Sequence, residues 1–100
     1  MRAQATAVYF PKEGLTQTAA ISGTTAVVTT AFEAQTRFVV LDADVGCHVI
    51  FGTAPTATTA EFHMVASVPY AFAVRPGQKV AVIQDSAAGT GTLWVSEVTF

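Results

Sequence analysis

Apolar residues recur along this chain at every second position, in short bursts. Tyr70, Phe72 and Val74 alternate with Ala71, Ala73 and Arg75. Val80 and Val82 alternate with Lys79, Ala81 and Ile83, and Cys47, Val49 and Phe51 alternate with His48 and Ile50. A period of two places each set on one side of a pleat, the pattern of a β-strand. Phe38-Val39-Val40-Leu41 is apolar on both faces, as in a strand covered on both sides.

Eight runs of this kind are predicted, at 6–10, 24–30, 37–42, 47–51, 61–65, 70–74, 79–84 and 92–98. Turn-forming stretches separate them at 11–14, 22–23, 42–46, 52–59, 67–69, 75–77 and 85–91. Short strands spaced by about 8–12 residues are the signature of an all-β sandwich or barrel. In Arg75-Pro76-Gly77, Pro fixes φ at the first turn position and Gly supplies positive φ at the next, a type II pattern. The 52–59 stretch contains no large apolar residue and reads as an exposed loop. Residues 32–35 are too few for more than a helical turn, and 15–22 read as either a strand or an extended arm. The reading divides the chain into an N-terminal strand or arm region, 1–33, within the same domain as a β-sandwich core at 34–100.

Composition sharpens this picture. The chain of 100 residues is 51% hydrophobic and 12% charged, against about 25% charged in ordinary soluble domains. No bulky apolar run approaches the roughly 20 residues of a spanning helix, and no signal-peptide core is visible near the start. No membrane partner is expected. The net charge is −2, and Arg2, Lys12, Arg37, Arg75 and Lys79 are scattered singly. That argues against a phosphate-tracking face, so no nucleic-acid partner is expected either. Cys47 is the single cysteine, which excludes an internal disulfide.

Candidate chemistry is thin. His48 and His63 match no metal-ligand spacing, and the nearby acids Asp42, Asp44 and Glu61 do not change that. The preferred reading is structural, with no metal and no cofactor. Cys47 and His48 are adjacent on a strand, point to opposite faces and cannot pair as nucleophile and base; Cys47 reads as buried. Asp42 and Asp44 read as turn caps rather than calcium ligands. There is no Gly-x-Ser-x-Gly, no dinucleotide fingerprint and no phosphate loop, and no catalytic residues are assigned. Tyr9, Phe10, Trp94 and Phe100 could stack on a sugar, but core or subunit-interface packing is the preferred role, and they stand as interface candidates. An apolar last residue, Phe100, suggests a docked end.

So few charges leave Thr, Ala, Ser and Gln to cover the surface. Small uncharged side chains lose little entropy on immobilisation, and interface cores are depleted in Lys, Glu and Asp. The expectation is a non-enzymatic homo-oligomer subunit, with closed rotational symmetry and a trimer favoured.

A resemblance points the same way. His48-Val-Ile-Phe-Gly52-Thr-Ala-Pro55-Thr-Ala-Thr-Thr59 is followed by Val68-Pro69-Tyr70-Ala-Phe72. Arg75-Pro76-Gly77-Gln-Lys79-Val80-Ala-Val-Ile83-Gln and Gly91-Thr-Leu-Trp-Val95-Ser-Glu97 follow in turn. In this order, over 37–100, the segments resemble small structural proteins of tailed bacteriophages. The resemblance implies an antiparallel β-sandwich, jelly-roll-like, and a place in the virion, assembled in the host cytoplasm. Its implied role is a capsid decoration or cement protein bound between major capsid protein subunits. The N-terminal segment would then lie as an arm on a neighbouring subunit. A tail or head-tail joining role, or a carbohydrate-binding attachment module, are the alternatives.

Overall fold

The first and last strands of this chain lie side by side, and the strands between them nest inward as pairs. The computed structural model describes residues 9–86 and 89–99. Its strands are β1 (Phe10–Ile21), β2 (Ala26–Val27), β3 (Phe38–Ala43), β4 (Cys47–Gly52), β5 (Phe62–Met64), β6 (Tyr70–Ala73), β7 (Lys79–Gln84) and β8 (Gly91–Thr99). No helix occurs among the described residues, so the chain is all-β. The strands form two antiparallel four-stranded sheets, ordered β1-β8-β3-β6 and β2-β7-β4-β5. The partners β1–β8, β2–β7, β3–β6 and β4–β5 nest like the two arms of one long hairpin.

Each sheet turns alternate residues toward a shared core. The first contributes Val39 and Leu41 from β3 and Leu93 and Val95 from β8. The second contributes Cys47 and Val49 from β4, Met64 from β5 and Val80 and Val82 from β7. All are buried, and the period of two explains why each burst supplies every second residue. Between the edge strands β5 and β6 the core is closed by rings. Phe72 meets Phe51 at 5.2 Å and Phe62 at 5.3 Å between centroids, while Tyr70 meets Phe62 edge-on at 5.9 Å.

The predicted strand at 79–84 is reproduced at both ends, and those at 37–42, 47–51, 61–65, 70–74 and 92–98 within two residues. The 75–77 turn is also found: Gly77 has φ +82° and Gln78 N donates to Arg75 O at 3.2 Å. Residues 32–35 end in a turn closed by Thr36 N on Glu33 O.

The start of the chain differs from expectation. The predicted turn at 11–14 lies inside β1, and 16–21 is paired strand. A Pro is tolerated there because β1 is an edge strand. The pairing jumps from Pro11↔Val98 to Thr16↔Ser96, so residues 12–15 bulge opposite Glu97 alone, with Gly14 at φ +74°. Most of the run at 6–10 lies outside the described residues. The run at 24–30 shortens to Ala26–Val27. Farther on, the Gln17 side-chain amide takes the place of a strand partner, donating to Thr30 O (2.7 Å) and accepting from Thr30 N (3.1 Å). The loop at 52–59 is mostly exposed, with Gly52 and Pro55 half-buried and Ala57 buried, its N–H donating to Thr25 Oγ1 at 2.8 Å.

Candidate functional site

Around Trp94, the face of the first sheet turned away from the core is built mostly from small uncharged side chains; farther along the same face the row of Phe38 and Val98 is larger and apolar, and Val98 is buried. Register aligns Thr16, Thr18 and Ala20 of β1 with Ser96, Trp94 and Thr92 of β8. Val40 and Asp42 of β3 continue the rows from Ser96 and Trp94, and Ala71 of β6 continues the row from Val40. Asp42 is the one ionisable side chain among these positions. Trp94 stands at 42% exposure between Thr18 and Asp42. Large exposed apolar groups elsewhere include Phe10, Phe62, Val65 and Val68.

Among the described residues, Phe10 and Trp94 do not form one patch. Phe10 opens β1 opposite Thr99 and is 62% exposed. Trp94 lies five residues back along β8, about 17 Å away at the usual rise per residue. Tyr9 is half-buried, and Phe100 lies outside the described residues. Tyr70 is half-buried in the ring cluster, where its hydroxyl accepts from Val65 N at 3.1 Å, so it does not extend a platform around Trp94.

The outer face of the second sheet carries a polar constellation. His48 on β4 and His63 on β5 are directly opposite each other in the ladder, with ring centroids 5.0 Å apart. Asp85, just past the end of β7, reaches both: Oδ1 lies 3.4 Å from His48 Nε2 and Oδ2 3.7 Å from His63 Nε2. His48 Nδ1 lies 3.0 Å from Glu61 O. The pleat sends Cys47 the other way, into the core, where burial pushes its thiol up to about 11. The two histidines, 15 residues apart, are thus joined by register. Asp85 was not among the acids singled out from the sequence; its place is set by β7 running beside β4.

Of those acids, Asp44 lies in the bend after β3 and ties it to β8, its Oδ1 accepting from Thr92 N at 2.7 Å and its own N donating to Thr92 O at 3.3 Å. Asp42 lies beside Trp94, and Glu61 contributes its backbone carbonyl to His48. Glu97 is a buried polar residue that sequence reasoning missed. Its Oε1 accepts from Glu33 N (3.0 Å) and from the Thr36 hydroxyl, to which Lys12 Nζ donates at 3.1 Å. The spacing of Val95-Ser96-Glu97 places Glu97 on the core side of β8, which was the available signal. Glu97 also lines a cavity of about 120 Å³ with Gly14, Leu15, Thr16, Gln17 and Thr30. That holds a few waters and falls short of the roughly 300 Å³ at which small-molecule pockets begin.

No described helix is long and apolar enough to cross a membrane. Comparison with protein-family models, curated proteins and solved structures found no match to this chain.

Proposed function

We propose that this chain is a non-enzymatic subunit of a repeated protein assembly. In its sharpest form it is a capsid decoration (cement) protein of a tailed-phage particle, binding between major capsid subunits as an oligomer. The observation that carries the reading is the outer face of the first sheet, where Trp94 rises from Thr, Ser and Ala with Asp42 as the sole charge. Such a face is cheap to desolvate, and its side chains lose little freedom when covered. Trp is also the residue type most enriched among interface anchors. The nested order β1-β8-β3-β6 over β2-β7-β4-β5 supports a jelly-roll reading, the fold that the phage resemblance implies. An attachment role on sugars would need a second ring beside Trp94, and Tyr70 is engaged elsewhere.

Light scattering on the purified chain tests the first step, and composition analysis of purified particles the second. The expected results are a closed oligomer, a trimer first, and regular high copy number on assembled shells. A monomer that is also absent from particles would sink the proposal.

A further inference from the structure

We propose that His48, His63 and Asp85 bind a divalent transition-metal ion, Zn²⁺ by preference, on the outer face of the second sheet. The inference is independent of the assembly reading. One ligand atom from each residue lies within 4.8 Å of the other two, the one such grouping of His, Cys, Asp or Glu among the described residues.

The hydrogen bond behind His48 supplies the argument. A carbonyl oxygen can only accept, so the contact with Glu61 O places the imidazole proton on Nδ1. In the neutral ring Nε2 then holds a bare lone pair, and it faces a carboxylate oxygen at 3.4 Å. Two acceptors facing each other at that distance repel, and a cation between them, a second proton or a metal, relieves the repulsion. An imidazole whose far nitrogen donates to a backbone carbonyl is the usual support of a metal-bound histidine.

The dimensions suit an ion. Bonds of about 2.0–2.1 Å to Zn²⁺ put ligand atoms about 3.3 Å apart in a tetrahedron. Asp85 Oδ1 lies 3.4 Å from His48 Nε2 and Oδ2 lies 3.7 Å from His63 Nε2, so each imidazole stands near that spacing from one of the two carboxylate oxygens. The three ligand atoms lie within 4.8 Å of one another, and the 49% exposure of His63 leaves its side chain room to rotate inward and close the gap. His48 is the fixed, buried ligand. Asp85 and His63 form the open rim, so a water completes the shell, as in three-ligand zinc sites. Two imidazoles and one carboxylate favour Zn²⁺ over the hard oxygen-seeking Ca²⁺ and Mg²⁺. Bound there, the ion ties the edge strand β5 to the end of β7 across β4.

Titration calorimetry with ZnCl₂ on chelator-stripped full-length chain is the test, repeated with His63→Ala and Asp85→Asn. The expected result is one Zn²⁺ per chain, weakened about 100-fold or more by His63→Ala, since even supporting residues cost 10–100-fold. Co²⁺ should give a visible d–d band that His63→Ala removes while the far-ultraviolet circular dichroism stays unchanged. If Asp85→Asn fails to fold, the parent and the half-exposed His63 variant decide the matter. No saturable binding by the parent, or Zn²⁺ binding indifferent to His63→Ala, overturns the proposal and leaves a proton-bridged His48–Asp85 pair.

Discussion

At Gly91 the backbone of β8 passes so close to the 44–46 turn that a Cβ would meet Asp44 Oδ1 and, at 2.8 Å, Val45 Cγ2. Gly91→Ala should therefore cost about 1–3 kcal/mol, as overpacking does, read as a lower denaturant midpoint. Glu97→Ala strands the buried Thr36 hydroxyl and leaves the partly buried Glu33 N–H to water. At about 1–3 kcal/mol for a buried unsatisfied group, it should destabilise more than an average surface change, again by denaturant melt. Cys47 makes a pH-dependent prediction. Burial raises its pKa from 9.0 to about 11, so the folded state holds the thiol proton more tightly than the unfolded chain. The resulting stability is complete below pH 9 and is lost as pH rises through 11, at about 1.4 kcal/mol per unit. Melts of the parent against Cys47→Val between pH 8 and 11 should diverge in that window; parallel curves would contradict it.

Among elements, β8 is the spine of the first sheet, pairing with β1 on one side and β3 on the other. The strands legible in the sequence are those with strong alternation and flanking turn residues, such as β4 and β7. β1 was obscured because Pro11 and Gly14 are turn formers everywhere except at an edge strand with a bulge, and being an edge is a property of the assembled sheet. The turn between β6 and β7 was readable because its chemistry is local. Gly77→Val forces a branched residue to φ +82° and should cost about 1–2 kcal/mol. A melt unchanged by that substitution would show that the turn relaxes at no cost.

For the whole molecule, the informative surface is the sparsely charged face around Trp94, where Asp42 is the one ionisable neighbour. Trp94→Lys removes the ring that anchors that face and puts a solvated ammonium opposite Asp42, without touching the core. It should leave monomer stability within about 0.5 kcal/mol, as surface changes do, and abolish self-association in light scattering. An oligomer of undiminished size would place the interface elsewhere, with Phe62, Val65 and Val68 as the next surface to alter.

Local rules were enough for the β class, most of the strands, the glycine turn and the burial of Cys47, because alternation and turn chemistry act between residues adjacent in the chain. They were not enough for the meeting of His48, His63 and Asp85, for the Glu97 carboxylate under the β1 bulge, or for the rows of Thr, Ser and Ala around Trp94. Those arrangements join residues from 15 to about 85 positions apart, and the order and register of strands across a sheet set which of them touch. Many strand orders satisfy the same alternation; the packing of two sheets on one core selects among them.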